Sequence, residues 1–491
     1  ANIRCGNSLI GSDYYQQATL GLMDDETMYR INAFDWEKGF PRAMAAGGFD
    51  AVIGNPPYVR QEALKKQKEY LKSHYKVYHG VADLYTYFIE KSLGLLKPVG
   101  LFSMIVSNKW LRSAYGRPLR SLLTTHASVL EIVDFAGLPV FSGATVRTLI
   151  LVCVPRPGQT ESVCYLAPVP LDDFRAIHSG EQVTELVVER AIHLPAQNMS
   201  SAGWSLSSPA VQALVEKTRK SATPLKAYAG PPFFGIKTGL NKAFIVGRET
   251  RDRLVASDPR NADIIRPVVG GRDVRRYSIE FKSKYLIWTY IGVPIRHFPA
   301  VFDHLHQYKG QLQKRSDQGD HWWELRACDY YDRFSWPKIM YPDIATSCRF
   351  VVDREGYLGT NTTYFIPGDD LYLLGILNSA LGNFYLAEAC AGLEGGGTTY
   401  LRFFGQYMEA FPVRTIDFDD PSDVARHDRM VALVERMLAR HNQLADAKTP
   451  QTNNVLQQQI EVTDRAIDTL VYELYELTDE EIAIVEKESM S

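Results

Sequence analysis

Short apolar runs alternate with helical stretches over the first 221 residues of the chain. The first run follows a Gly-Gly pair and ends at a Pro-Pro pair, which marks both of its ends. A stretch between the first two runs, residues 82–96, has the apolar spacing of a helix. Together these patterns predict an α/β domain over residues 1–221. Its buried strands are predicted at residues 49–54 (FDAVIG), 101–107 (LFSMIVS), 129–135 (VLEIVDF) and 148–154 (TLILVCV).

The pattern changes twice after this domain. Between residues 222 and 415, aromatic, Gly and Arg residues dominate and long helical periods are few, which predicts a mixed α+β or mostly β domain. From Pro421 onward, apolar residues recur at 4-3-4-3 spacing in two runs. The polar stretch 447–453 between them predicts the turn of an antiparallel helical hairpin. Residues 416–491 are therefore predicted to form a helical tail.

Charge is distributed unevenly along the chain. The whole sequence has a formal net charge of -3, which excludes a uniformly polycationic protein. The segment from Lys226 to Arg354, however, contains 22 basic and 14 acidic residues, a net charge of +8. A basic centre in an otherwise acidic chain predicts one surface that faces a polyanion.

The six cysteines are scattered, with no CxxC pair and no His at ligand spacing. This spacing predicts neither a zinc site nor a disulfide framework, and it suits a reducing cytoplasm. The strongest apolar run, residues 149–154, is too short to span a membrane.

The tetrapeptide Asn55-Pro56-Pro57-Tyr58 directly follows the first predicted strand. Open α/β sheets bind their ligands at the carboxyl ends of strands. The two prolines fix their own φ angles, and Pro56 holds Asn55 in an extended conformation. The sequence therefore predicts a rigid turn whose oxygen atoms face a ligand.

Such a turn suits methylation of an exocyclic amine. The amino nitrogen of adenine is a poor nucleophile because its lone pair is delocalised into the ring. The side-chain oxygen of Asn55 and the carbonyl of Pro56 can accept its two N–H hydrogens and direct the lone pair at a methyl donor. The Tyr58 ring can stack on a base that has left the duplex.

The segment FDAVIGNPPYV resembles the catalytic motif of the gamma-class amino-methyltransferases. The wider chain resembles type IIG restriction-modification enzymes with a TaqI-like specificity domain, and the likeness covers nearly all of it. Individually weaker blocks occur in the order typical of that family: residues 2–11 (NIRCGNSLIG), 33–36 (AFDW), 83–88 (DLYTYF), 140–148 (VFSGATVRT), 235–242 (GIKTGLNK), 337–343 (PKIMYPD) and 468–477 (DTLVYELYEL).

The resemblance implies a Rossmann-like methyltransferase portion, a target-recognition domain and a C-terminal helical hairpin. It implies site-specific methylation of adenine N6 in DNA, with S-adenosylmethionine as the cofactor, within a restriction-modification or phage-defence system. By the same resemblance, Phe141 holds the extruded base from the side and Asp35 contacts the adenine of the cofactor.

One expected feature of such enzymes is missing from the sequence. They bind S-adenosylmethionine through a Gly-rich turn after a strand, and no FxGxG-like turn precedes Asn55 here. We therefore expect this chain to be the carboxyl-terminal portion of a longer polypeptide. Most of the cofactor pocket would then lie outside it, and the chain alone would methylate weakly or not at all.

Two groups of basic side chains are predicted to bind double-stranded DNA. Such side chains contact phosphates, and Arg can also contact guanine edges. One group follows the catalytic turn and the other lies in the central basic segment. The candidates are Arg60, Lys65, Lys66, Lys237, Lys242, Arg272, Arg275, Arg276 and Lys338. Further expected partners are the upstream part of the same protein or other subunits of the defence system. We expect no membrane association.

Three alternatives remain open from the sequence. The missing cofactor turn favours a non-catalytic DNA-binding specificity subunit. Methylation of a protein glutamine also uses an NPPY motif, but it does not require a basic domain of this size. Methylation of cytosine N4 is closer in chemistry, although Ser more often opens the motif in those enzymes.

Overall fold

A computed structural model of the chain describes residues 3–17, 25–59, 67–111, 113–136, 138–141, 146–156, 158, 161–201, 203–204, 206–390, 392–395 and 398–489. The chain divides into two compact units, each with its own packing. The first comprises residues 1–212 and 394–398, and the second comprises residues 213–393 and 399–491. In the described ranges, no helix combines the length and apolarity needed to cross a membrane.

The first unit is an α/β domain built on a six-stranded sheet with the strand order β1-β2-β4-β3-β5-β6. β1 and β2 are parallel, whereas β4 runs antiparallel to both β2 and β3. The four predicted strands are confirmed, although β2 begins five residues earlier than predicted. The strands are β1 (Phe49–Gly54), β2 (Leu96–Ser107), β3 (Ser128–Ala136), β4 (Thr148–Val154), β5 (Ser162–Leu166) and β6 (Ile192–Pro195).

Helices of the first unit cover the sheet. The predicted helix at 82–96 is present as α6, whose buried face includes Tyr85, Tyr87 and Ile89. These side chains join the main apolar core of the unit together with Phe102 and Trp110. The helices are α1 (Asp13–Gln17), α2 (Asp25–Ile31), α3 (Trp36–Gly39), α4 (Pro41–Ala45), α5 (Lys68–His74), α6 (Tyr85–Leu95), α7 (Arg117–His126), α8 (Leu171–Arg175) and α9 (Gly180–Arg190), and α10 (Pro209–Lys220) continues into the second unit.

The second unit contains several small sheets. The two largest have the strand orders β17-β10-β13-β9 and β16-β14-β18-β8. The strands are β7 (Thr223–Pro224), β8 (Phe233–Phe234), β9 (Ile245–Gly247), β10 (Ile265–Val269), β11 (Val274–Arg275), β12 (Ser278–Ile279), β13 (Lys284–Ile287), β14 (Lys338–Pro342), β15 (Ile344–Ala345), β16 (Val351–Asp353), β17 (Leu358–Gly359), β18 (Thr363–Pro367), β19 (Gly392–Gly395), β20 (Thr398–Arg402) and β21 (Pro412–Val413).

Helices make this unit mixed α+β, so the mostly β option is wrong. All eight residues of α16 are buried, and a helix buried on every side has no polar face to create a visible period. The helices are α11 (Leu225–Ala229), α12 (Asn241–Phe244), α13 (Arg248–Ser257), α14 (Pro299–His306), α15 (Lys309–Leu312), α16 (Leu371–Asn378), α17 (Ala380–Ala389), α18 (Gly405–Met408), α19 (Pro421–Asp446), α20 (Pro450–Leu474) and α21 (Asp479–Ser489).

The tail forms the predicted antiparallel hairpin from α19 and α20. The predicted turn at 447–453 is too long, because α20 already begins at Pro450. Proline suits the first helical position, and the Thr449 side chain accepts a hydrogen bond from the backbone amide of Thr452. Residues 447–449 therefore suffice for the turn.

Polar contacts fix the hairpin to the rest of its unit. The Arg276 guanidinium donates to both carboxylate oxygens of Asp464 and to the backbone carbonyl of Asn378. One turn further along α20, Asp468 Oδ1 accepts a hydrogen bond of 2.7 Å from the backbone amide of Ala380. Burial raises the pKa of the Asp468 carboxyl from 3.8 to about 6, against the lowering effect of the Ala380 amide.

Replacing Asp468 by Asn should change how stability depends on pH. The raised folded-state pKa means that protonated Asp468 stabilises the fold at low pH, and this contribution is lost as the pH rises through 6. Asn keeps the oxygen acceptor without the charge. Above pH 7 the Asp468→Asn chain should therefore be more stable than the wild type, by at most about 3 kcal/mol.

Urea denaturation at pH 4 to 8 measures this difference. The matched control is Asp446→Asn at an exposed position of α19, which should follow the wild-type curve. If the free energy of unfolding of the Asp468→Asn chain decreased with rising pH as steeply as that of the wild type, Asp468 would not be the group responsible for the pH dependence.

Candidate active site

The carboxyl ends of three strands meet at one edge of the first sheet. β1 and β2 are parallel, and β3 runs in the same direction because antiparallel β4 lies between β2 and β3. The segments that follow these strands therefore emerge together, and ligands of open α/β sheets bind at this edge. They contain the tetrapeptide 55–58, Asn108 and the loop that leads to Phe141.

The tetrapeptide is anchored at its far end. The Val59 carbonyl accepts a hydrogen bond of 3.0 Å from the backbone amide of Leu84, which precedes α6. The hydroxyl of half-buried Tyr58 donates to the Ile105 carbonyl on β2 at 3.3 Å, which orients the ring. Burial raises the pKa of this hydroxyl, so it stays neutral.

The start of the tetrapeptide keeps its acceptors available. Asn55 is exposed, whereas Pro56 is buried and stiffens the turn. Within the described ranges, no hydrogen bond uses the Asn55 side chain or the Pro56 carbonyl. Two oxygen acceptors therefore lie on a rigid turn at the sheet edge.

Phe141 is brought to this turn, as the sequence prediction required. Its ring centroid lies 5.8 Å from that of Tyr58, with the two rings inclined by 60°. The residues between Phe141 and β4, 142–145, lie outside the described ranges. The structure thus pairs two aromatic rings beside the acceptors.

The contacts that shape the loop before Phe141 were not predicted from the sequence. Asp134 Oδ1 accepts hydrogen bonds from the Ala136 backbone amide at 2.8 Å and from Asn108 Nδ2 at 3.4 Å. Ala136 has a φ of 43°, which is uncommon for a residue other than Gly and creates a sharp bend at the end of β3. Asp134 therefore ties the end of β2 to the bend that leads to Phe141. The strand carries a second carboxylate, Glu131, so its sequence alone does not single out Asp134.

Asp35 holds a local turn in this structure. Its carboxylate accepts hydrogen bonds from the backbone amide and the hydroxyl of Ser12, at 2.8 and 2.7 Å, and pairs with Lys38 at 2.9 Å. These contacts, led by the Ser12 amide, lower the pKa of Asp35 to about 2. Its predicted contact with a cofactor stays a prediction.

The glycines around Asp35 serve internal packing. A Cβ on Gly6 would lie 2.7 Å from Phe34 Cβ, and one on Gly11 would lie 2.6 Å from Asp13 Oδ1. Protein atoms thus fill the space directly beside these two glycines.

The predicted DNA-binding cations have different environments. Lys242 and Arg272 are exposed, and Lys237 Nζ lies 5.7 Å from the ring centroid of Phe234. Arg275 is partly engaged, because its guanidinium pairs with Glu280. Arg60, Lys65 and Lys66 lie outside the described residues.

One of these predictions is wrong, and a second cation already has internal partners. Lys338 is fully buried, and its ammonium group donates to Asp353 at 2.6 Å and to the Phe334 carbonyl at 2.8 Å. It forms an internal ion pair and presents nothing to DNA. The partly exposed guanidinium of Arg276 donates to Asp464 of the tail and to the Asn378 carbonyl, and its contact with DNA stays a prediction.

Two family profiles match separate parts of the chain. The Eco57I restriction-modification methylase profile matches residues 2–141, which include the tetrapeptide and Phe141. The TaqI-like C-terminal specificity domain profile matches residues 266–413.

Curated relatives extend the similarity over most of the chain. The type II methyltransferase M.PaeR7I of Pseudomonas aeruginosa is 26% identical over 408 residues, which cover 78% of this chain and 67% of the relative. M.BstVI of Geobacillus stearothermophilus is 24% identical over 475 residues, which cover 89% of this chain and 75% of the relative. The restriction enzyme and methyltransferase RM.Eco57I of Escherichia coli is 30% identical over 155 residues, which cover 30% of this chain and 14% of the relative.

A solved structure shares the fold. The type IIL restriction-modification enzyme MmeI in complex with DNA aligns with a TM-score of 0.58 at 14% identity, covering 93% of this chain and 58% of that chain. The chain thus spans somewhat over half the length of MmeI. With the site at the sheet edge and both profile matches, this chain carries an Eco57I restriction-modification methylase domain followed by a TaqI-like C-terminal specificity domain.

Proposed function

We propose that the protein containing this chain is a site-specific DNA methyltransferase of a restriction-modification system, which methylates N6 of adenine. The observation that carries the proposal is the pair of available oxygen acceptors at Asn55 and Pro56 beside the rings of Tyr58 and Phe141. The methylase profile over residues 2–141 and the type II methyltransferases among the relatives support it.

The acceptor residues act on the amine. Asn55 Oδ1 and the Pro56 carbonyl each accept one N–H of the exocyclic amino group, which draws the nitrogen toward tetrahedral geometry and directs its lone pair outward. S-adenosylmethionine, the donor that the family implies, supplies an electrophilic methyl group when bound. Because the turn is fixed before the base arrives, little reorganisation is needed at the moment of transfer.

The two rings hold the base. A purine stacked between parallel rings needs a centroid separation of roughly 7 Å, because each stacking contact takes roughly 3.5 Å. Tyr58 and Phe141 are 5.8 Å apart and inclined, so they contact each other before the base enters. Tyr58 is fixed by Ile105, and Phe141 is therefore the ring that moves aside.

The second unit provides the DNA specificity in this proposal. It contains the specificity-domain match and the segment with a net charge of +8. Exposed Lys242 and Arg272 contact phosphates, so DNA binding should weaken as salt concentration rises.

A non-catalytic specificity subunit is the second candidate. It is favoured by the internal use of the Asp35 carboxylate, which accepts hydrogen bonds from Ser12. Equilibrium dialysis of the native gene product with labelled S-adenosylmethionine separates the two, because only the methyltransferase retains the label.

Replacing Asn55 by Ala should abolish most of the activity without weakening DNA binding. Removing one preorganised partner of the reacting group lowers kcat by roughly 100- to 1000-fold. Transfer of a labelled methyl group to DNA measures kcat, and mass spectrometry of the nucleosides identifies N6-methyladenine as the product. Asn453→Ala, at an exposed position of α20, is the matched control. Full activity of Asn55→Ala would refute the role of Asn55, and N4-methylcytosine as the product would refute the choice of base.

Replacing Asp134 by Ala should impair base extrusion. The change removes the acceptor for the Ala136 amide and for Asn108, so the loop before Phe141 loses its fixed bend. Losing two such hydrogen bonds should lower kcat about 10-fold, and the fluorescence gain of 2-aminopurine at the target position should fall in parallel. Asp134→Asn keeps the Oδ1 acceptor and should restore most of both signals. An unchanged fluorescence gain in Asp134→Ala would show that Asp134 does not position Phe141.

A further inference from the structure

A cleft beside helix α14 of the second unit contains none of the residues discussed above. Its volume is about 700 Å³, within the roughly 300–1,000 Å³ typical of small-molecule sites. The loop 293–298, the helix α14 and the segment 321–323 contribute to its lining, and we call it the α14 cleft. Its aromatic and charged lining residues are Arg296, His297, Phe302, Asp303, His321 and Trp323.

The aromatic wall of the α14 cleft is fixed by its packing. The rings of His321 and Trp323 are stacked, with centroids 4.4 Å apart and planes inclined by 17°. The Phe302 ring meets Trp323 edge-on at a centroid distance of 5.8 Å. The Trp323 carbonyl accepts a hydrogen bond of 2.6 Å from the hydroxyl of Thr289, which ties this wall to the segment after β13. The aromatic surface is therefore in place before a ligand arrives.

The buried carboxylate of Glu324 joins this wall to the start of the loop 293–298. It accepts hydrogen bonds from the His321 backbone amide at 2.9 Å and from the Gly292 amide at 3.1 Å. Its Oε1 also lies 3.3 Å from His321 Nδ1. Only 2% of the Glu324 side chain is exposed, whereas 56% of the His321 side chain is exposed. Glu324 thus fixes an imidazole ring that a ligand can still reach.

The charged side chains of the cleft are not used by the fold. Arg296, His297 and Asp303 are exposed, and within the described ranges no hydrogen bond or ion pair engages their side chains. The backbone of the loop is nevertheless fixed, because the His297 amide donates to the Pro294 carbonyl at 2.8 Å. These groups therefore project from ordered backbone and keep their hydrogen-bonding capacity for a ligand.

Three kinds of group thus occur together: stacked aromatic rings, a guanidinium with an imidazole beside it, and a carboxylate. A flat base can continue the stack of His321 and Trp323. A guanidinium binds a phosphate through charge-assisted hydrogen bonds, and a carboxylate accepts a hydrogen bond from a ribose hydroxyl. A ribonucleotide matches all three kinds of group, whereas an acidic or aromatic peptide leaves the Asp303 carboxylate unmatched.

We propose that the α14 cleft binds a free ribonucleoside monophosphate, a function beyond the methylation proposed above. The base stacks on His321, the phosphate binds Arg296 beside His297, and Asp303 accepts a hydrogen bond from the 2′-hydroxyl. Duplex DNA does not match this arrangement, because its bases are stacked on each other and its sugars lack the 2′-hydroxyl.

Isothermal titration calorimetry of the native gene product with the four ribonucleoside 5′-monophosphates tests the proposal. Saturating S-adenosylhomocysteine is present throughout, so that an adenine nucleotide cannot bind at a cofactor site. The nucleotide that binds best should lose roughly 10-fold or more in affinity without its phosphate, and by a similar factor without its 2′-hydroxyl, because each change removes a hydrogen bond to a charged group.

Two variants locate these preferences in the cleft. Arg296→Ala should remove most of the difference between the nucleotide and its nucleoside, and Asp303→Ala should remove most of the difference between the ribo and deoxyribo forms. Each variant loses one preference and keeps the other, which a misfolded cleft cannot do. The matched control is Arg436→Ala at an exposed position of α19, which should keep both preferences.

The proposal is overturned if none of the four nucleotides binds, or if both variants keep the preferences of the wild type. A third outcome also overturns it. If the Arg296 and Asp303 variants alter only the affinity for duplex DNA, the cleft is part of a DNA-binding surface and takes no free nucleotide.

Discussion

The antiparallel strand β4 determines where chemistry can occur in the first unit. β1 and β2 pair directly in parallel, and β4, lying between β2 and β3, gives β3 the same direction, so that the carboxyl ends of all three meet at one edge. Segments that are far apart in the sequence therefore contribute to one site. The Tyr58 and Phe141 rings come into contact only through this arrangement.

Rigid positioning is the common feature of the Asn55 turn and of the bend that precedes Phe141. The Asn55 turn is stiffened by two prolines and anchored through Val59, and the bend before Phe141 is held by Asp134. Cations that are already paired inside the fold have structural roles instead. Lys338 neutralises Asp353 in the core, and Arg276 fixes the helical tail.

The sequence predicted the parts of the fold that have clear periods or end signals. Strands β1 and β4 lie at their predicted positions because apolar runs with turn residues at both ends have few alternatives. Helix α16 was not predicted, since burial on every side removes the polar stripe that makes a helix visible. At the site, the Asn55 turn followed from local rules, whereas Asp134 and the burial of Lys338 depend on contacts between distant residues. Charge alone does not distinguish a surface lysine from one half of a buried ion pair.

The central claim is that the Asn55-Pro56 turn receives the amino group of an extruded adenine. The most direct test is a crystal structure of the native gene product with its DNA target and a non-reactive cofactor analogue. We predict an adenine outside the helix between Tyr58 and Phe141, with its amino nitrogen about 2.7–3.2 Å from both Asn55 Oδ1 and the Pro56 carbonyl. A target adenine that stays stacked in the duplex, or that binds away from this turn, would contradict the account.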